Sequence, residues 1–301
     1  MYKQVVATLL LSVLFACAPK ANDPWIHEFP TPAAGQTGFY YLENAPFPHS
    51  SRAEGYTRNN VSYPQTLHYS DSTVAVFIPA GFNPRAEVTL LYYFHGHNNN
   101  VRNALLEFDL PTMVAESERN VVLVFPEGPV DVPDSSGGKL EEELGLLKLH
   151  TELVSQLVDD GKLMDSTVEG IILSGHSGAY KILHNSLAKG GLNDLVREVY
   201  LLDASYGGLE DFTTWIAQNP DRRFVSIFTD HLADENNEMM STLKAQNIAF
   251  RVVDEDNAFG HVLRDNKRVF VRANKSDHNQ TVKFLQEFLS TSTIPPRGVV
   301  N

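Results

Sequence analysis

The stretch LSGHSGAYKILH, residues 173–184, sets a serine between two glycines where an apolar run passes into a helical pattern. Gly170, Ile171, Ile172 and Leu173 form the continuous apolar run of a strand covered on both faces. Ala179, Ile182, Leu183 and Leu187 then recur at helical spacing, so Ser177 falls on a strand-to-helix turn. A sharp turn there pushes the hydroxyl out at the sheet edge, and the next helix N-terminus offers backbone N–H groups to a developing oxyanion. The chemistry open to such a serine is nucleophilic attack. At neutral pH that needs a base to take the proton and a carboxylate to orient the base. The plain alternative is a tight turn that happens to hold a serine.

Gly175-His176-Ser177-Gly178-Ala179 resembles the nucleophile elbow of the α/β-hydrolases, G-x-S-x-G, with Ala179 adding one methyl where the last glycine stands. The resemblance implies a mostly parallel central sheet with helices on both faces. It also implies a serine hydrolase working through an acyl-enzyme on Ser177, cleaving an ester more often than an amide or peptide, without a cofactor. Its triad runs in the order serine, acid, histidine. Of eleven histidines, His231, His261 and His278 follow both the serine and a plausible acid. His278 stands just ahead of an amphipathic pattern, Val282, Phe284, Leu285, Phe288 and Leu289, which matches the family's histidine before the last helix; His261 in AFGH is the alternative. Two aspartates compete for the acid. Asp203 follows EVYLL and precedes a small-residue turn, whereas Asp230 follows FVSIFT in a polar segment; Asp203 is preferred, and either has a helix N-cap as its ordinary role. With backbone donors from Gly178 and from Gly96 or His97 completing an oxyanion hole, the resemblance supplies a full catalytic set.

His95-Gly96-His97-Asn98-Asn99-Asn100 follows the run VTLLYYF. The His-Gly loop after this early strand resembles the family's second oxyanion donor, which uses the backbone; the His95 ring is expected to pack below the loop. His95 and His97 alternate along an extended segment and have the spacing to share an ion. The segment lacks the Asp-His that completes zinc hydrolase sites of that kind, so no metal is expected. After NVVLVF the loop Pro126-Glu127-Gly128-Pro129 continues into DVPDSSGGKLEEE, where Asp134 and Lys139 are candidates for substrate contact beside the ordinary role of a solvated connection.

The elements that must position these residues are legible as alternating runs. Strand patterns occupy 73–79, 88–94, 120–125, 170–173, 198–202, 224–229 and 248–253, and helical patterns 146–158, 179–189, 209–218 and 236–246. Alternation of this kind means parallel strands joined by crossovers, with ligands at the strands' carboxyl ends. With 43% hydrophobic residues the chain has the means to bury a sizeable core. A formal charge of −13, or −14 once Lys3 is removed, argues against nucleic acid or anionic lipid as partner.

Residues 1–16 carry a basic start at Lys3 and an apolar run, and Leu14-Phe15-Ala16-Cys17 resembles the lipobox of a bacterial lipoprotein signal peptide. Cys17, the only cysteine, excludes a disulfide within the chain and a cysteine-based zinc site. The expected organisation is a signal at 1–16, a Pro- and Ala-rich tether at 17–38, and an α/β-hydrolase domain at 39–301. The resemblance implies a lipid anchor at Cys17 in the bacterial envelope, at the outer membrane, facing an envelope-derived or small-molecule ester or amide. The competing reading is a catalytically silent ligand-binding lipoprotein of the same fold.

Overall fold

The computed structural model describes residues 24–26, 34–258 and 260–298; the expected signal, Cys17 and most of the expected tether lie outside the described residues. Twelve strands are assigned among the described residues: β1 Trp25–Ile26, β2 Gly35–Tyr41, β3 Tyr56–Arg58, β4 Val61–Tyr63, β5 Thr73–Pro79, β6 Thr89–Phe94, β7 Val121–Pro126, β8 Gly170–His176, β9 Val196–Leu202, β10 Arg223–Phe228, β11 Arg251–Asp254 and β12 Arg268–Arg272. The helices are α1 Gln65–His68, α2 Val101–Glu107, α3 Leu110–Glu116, α4 Gly145–Asp159, α5 Tyr180–Lys189, α6 Leu209–Gln218, α7 Ala233–Ala245, α8 Gly260–Asp265 and α9 Phe284–Ser290.

Ten of the strands form one sheet in the order β1-β2-β5-β7-β6-β8-β9-β10-β12-β11, and β3 pairs with β4 apart from it. From β7 to β11 every pairing is parallel, while β1, β2 and β5 add an antiparallel edge. The central strands are apolar throughout because both faces are covered. Alternate residues serve the two faces: Leu90, Tyr92 and Phe94 pack with α4, α5, α6 and α7, whereas Leu91 and Tyr93 pack with α2, α3, α8 and α9. The pleat, with its period of two, divides one run of apolar residues between two cores.

Of the strands without an expected run, β1 to β4 and β12, two show why they were missed. Residues 35–38, expected in the tether, belong to β2, where Gly38 pairs with Trp25 on one side and Val76 on the other. Two glycines and a preceding Pro- and Ala-rich stretch hid a strand whose apolar half, Phe39 and Tyr40, lies at the end. β12 is the second. Its RVFVR segment is five residues long with a charge at each end, yet it pairs with β10 and β11 and leads directly to the loop of His278. β8 also runs further than expected, through Ser174, Gly175 and His176.

Candidate active site

Ser177 follows the last residue of β8 and opens the helical segment that becomes α5. Its φ is +55°, in the left-handed region that a residue with a Cβ adopts only under constraint. The surrounding glycines supply the room. Gly175 lies between β6 and β9, paired with Phe94 and Leu201, and a Cβ on it would stand 2.6 Å from that of Ala179. The methyl by which Ala179 departs from the elbow pattern therefore fits because Gly175 has none. A Cβ on Gly96 would stand 2.6 Å from that of Ser177, so the 95–97 loop passes directly against the serine. Ser177 is more enclosed than an exposed hydroxyl, 7% accessible, and opens on a cleft of about 460 Å³ lined also by Gly96, His97, His176, Tyr206 and His278.

The candidate acids and bases differ in their surroundings. Asp203, fully buried after β9 with φ +51°, takes His278 Nδ1 on Oδ2 at 2.7 Å. Thr229 adds its N–H to Oδ1 at 2.9 Å and its hydroxyl to Oδ2 at 2.8 Å. Burial alone would raise the Asp203 pKa; the hydrogen bonds from His278 and Thr229 overcome it and hold the carboxyl below its ordinary value. Asp230 is exposed at the start of a short 3-10 turn, and His261 is exposed on α8, neither of them lining the cleft. His278 and Ser177 share the cleft without a direct hydrogen bond to each other in this geometry.

Three residues that sequence reasoning left unused are built into this cluster. His176 is buried, its Nε2–H donating to the His278 carbonyl at 3.1 Å, with the two rings 4.5 Å apart. Burial and the nearby His278 push its pKa down to about 3, so it is a neutral donor that holds the backbone of the other histidine. Tyr206 lines the cleft, its Oη 2.7 Å from His231 Nε2. His176 was in the motif as its variable position. The other two lie close in space only because β9 and β10 are neighbours.

The His95 ring packs below the loop as expected. Nδ1–H donates to the Gly96 carbonyl at 2.7 Å and Nε2 meets Glu127 Oε1 at 3.0 Å; both side chains are buried. Burial works against a charge on His95, but Glu127 and the Gly96 carbonyl outweigh it and raise its pKa. Glu127 also accepts the Val101 N–H, tying α2 to the same loop. His97 instead meets Ser135 Oγ at 2.8 Å, and its ring lies where a Cβ on Gly178 would go. The two imidazoles thus meet different partners.

Asp134 and Lys139 do not line the cleft. Asp134 is held by Arg52 at 2.7 and 3.0 Å and by Tyr69, and Lys139 Nζ donates to the Glu43 carbonyl at 2.6 Å. The one group among the described residues with the spacing of a metal site is Asp203, His231 and His278. The Thr229 hydroxyl bridges Asp203 Oδ2 and His231 Nδ1.

No protein-family model and no curated protein sequence matches this chain. Solved structures do. A serine-to-alanine variant of the feruloyl esterase module from Clostridium thermocellum, complexed with sinapinate, is 13% identical with a TM-score of 0.52, over 87% of this chain and 89% of that one. An S-formylglutathione hydrolase from Agrobacterium tumefaciens is 12% identical with a TM-score of 0.51, over 87% and 96%. The fold is that of the α/β-hydrolases. Within this α/β-hydrolase fold, Ser177, Asp203 and His278 follow β8, β9 and β12, three parallel strands whose carboxyl ends meet at the cleft.

Proposed function

We propose that the chain is a serine hydrolase that cleaves a carboxylic ester through an acyl-enzyme on Ser177. The observation that carries this reading is a serine forced into the left-handed region beside a cleft that also holds His278, with His278 Nδ1 fixed on the fully buried Asp203. In the reaction His278 Nε2 takes the Ser177 proton as Oγ bonds to the acyl carbon, and Asp203 stabilises the resulting imidazolium. The N–H groups of Gly178, in a first helical turn with no intrahelical partner, and of Gly96 or His97 receive the oxyanion. His278 then protonates the departing alcohol, and water repeats the sequence to free Ser177. The hydrolytic names of both solved neighbours agree with this reaction class.

The lipobox-like Leu14-Phe15-Ala16-Cys17 supports a second part of the proposal, that the enzyme is lipid-anchored in a bacterial envelope. Among the described residues no helix is long and apolar enough to cross a membrane.

Treatment with a fluorophosphonate probe tests the chemistry. Wild type labels and hydrolyses p-nitrophenyl acetate, Ser177→Ala does neither, and prolonged chelation leaves the wild-type rate unchanged. Equal labelling of the two proteins would refute the proposal.

A further inference from the structure

Asp203 serves two histidines. Besides His278 Nδ1, its Oδ2 receives the Thr229 hydroxyl at 2.8 Å; that hydroxyl lies 2.6 Å from His231 Nδ1, and His231 Nε2 lies 2.7 Å from Tyr206 Oη. An ionised carboxylate only accepts, so it sets the direction of the first two bonds along this second arm. Thr229 gives its proton to Asp203, and its oxygen therefore accepts from His231 Nδ1–H. In the tautomer with its proton on Nδ1, Nε2 is the acceptor for the Tyr206 O–H. Burial and the Asp203 charge raise the Tyr206 pKa, so the phenol keeps the proton it shares at neutral pH. Tyr206 thus reaches the cleft with its proton committed and only acceptor lone pairs to offer.

Its position is fixed by packing as well. The ring stands edge-on to the His278 ring at 6.5 Å and rests against Tyr180 at 5.9 Å, and Tyr206 and Ser177 line the same cleft. We propose that Tyr206 is a further catalytic residue that orients the hydrolytic water during deacylation, with His231 as its positioning residue. This rests on the serine-hydrolase reading.

The chemistry selects that step. A water has two protons, and His278 Nε2 takes one as the water oxygen bonds to the acyl carbon; the other needs an acceptor, which Tyr206 Oη supplies. The tetrahedral adduct then expels Ser177 Oγ, which recovers the proton from His278, leaving the free acid and the resting enzyme. In acylation the nucleophile is Ser177, whose single proton goes to His278, so the same acceptor has no second hydrogen to hold.

Tyr206→Phe removes the acceptor and keeps the ring. On p-nitrophenyl acetate, kcat should fall about tenfold, the scale of one hydrogen bond, while kcat/KM, which reports acylation, stays within about twofold. Intact-mass measurement after rapid quenching should show the acetyl adduct accumulating on Ser177. His231→Phe, which leaves the phenol without its anchor, should show the same split at about threefold in kcat. It carries the test if thermal melts show that Tyr206→Phe does not fold. Equal losses in kcat and kcat/KM, or wild-type turnover with no adduct in a variant whose activity still depends on Ser177, would overturn the role of Tyr206 alone. Turnover surviving in Ser177→Ala would overturn the serine-hydrolase reading and this role with it.

Discussion

At the scale of single residues, two left-handed side chains set the site. Ser177 and Asp203 both have φ above +50°, a conformation that costs a residue with a Cβ about 1 to 2 kcal/mol. Replacing Ser177 by Ala or by Gly removes the same hydroxyl, but only glycine relieves the backbone. Chemical denaturation should find Ser177→Gly more stable than Ser177→Ala by about 1 kcal/mol, with both inactive. Asp203 is separable from its competitor in the same way. Asparagine tolerates the left-handed region, so Asp203→Asn should fold yet lose about 10³-fold or more in kcat, because the amide no longer fixes the His278 tautomer. Asp230→Asn, at an exposed turn, should remain within about twofold. A larger loss in Asp230→Asn than in Asp203→Asn, read from ester hydrolysis, would reverse the assignment of the acid.

At the scale of elements, the elbow depends on how closely α5 approaches the sheet. Gly175→Ala would bring one Cβ to 2.6 Å from that of Ala179 and 3.1 Å from Leu183 Cδ1, against a helix whose buried face is fixed. Overpacking of this kind costs about 1 to 3 kcal/mol. Adding Ala179→Gly removes the nearer contact, so the double variant should recover about 1 kcal/mol beyond additivity in urea denaturation. Strict additivity would mean that Leu183 and the Phe94 carbonyl alone limit the approach. The His278 side of the site is held differently. α9, which follows the His278 loop, is tied to the sheet by Arg223: its guanidinium pairs with buried Glu198 at 3.0 Å and donates to the Phe288 carbonyl at 2.7 Å. Nearer the histidine, buried Glu255 accepts the Ser276 N–H at 3.0 Å.

At the scale of the whole molecule, stability and location both have measurable signatures. Burial lowers the pKa of His176 to about 3, with the nearby His278 adding to the effect, and that of His150 to about 4, below the ordinary 6.5. Both stay neutral when folded but take up protons when unfolded as pH falls below about 6.5, so their contribution is full above that value and shrinks toward pH 4. His95, with its raised pKa, acts in the opposite sense: its contribution is full below about 6.5 and is lost as pH rises through its folded value. Calorimetry should therefore record a falling Tm from pH 6.5 to 4.5. In His150→Gln that slope should be shallower, and an unchanged slope would refute the assignment. The anchor is tested by Cys17→Ser, which removes the only thiol. Wild type should partition into the detergent phase with palmitate label, whereas the variant should be aqueous and unlabelled with unchanged turnover on p-nitrophenyl acetate. Label persisting in Cys17→Ser would end the proposal.

The sequence by itself determined the parts that are local. Thr73–Pro79 and Leu209–Gln218 are read from their apolar patterns with the bounds they have in the structure. The strand-turn-helix around Ser177 is legible because glycines, an apolar run and a helical period lie within twenty residues. β12 was illegible because a five-residue strand with arginine at each end resembles a solvated segment until its neighbours cover it. Local pattern already favoured Asp203 over Asp230 and His278 over His261, but only the tertiary structure shows what stands opposite each: Asp203 meets His278, whereas Asp230 and His261 are exposed and do not line the cleft. The Asp203 carboxylate and the His278 ring are 75 positions apart in sequence and 2.7 Å apart in space. Tyr206 carries no local signal and His231 only its place after the serine and a plausible acid; they meet because β9 and β10 are paired in parallel, which brings the loops after both strands to one end of the sheet.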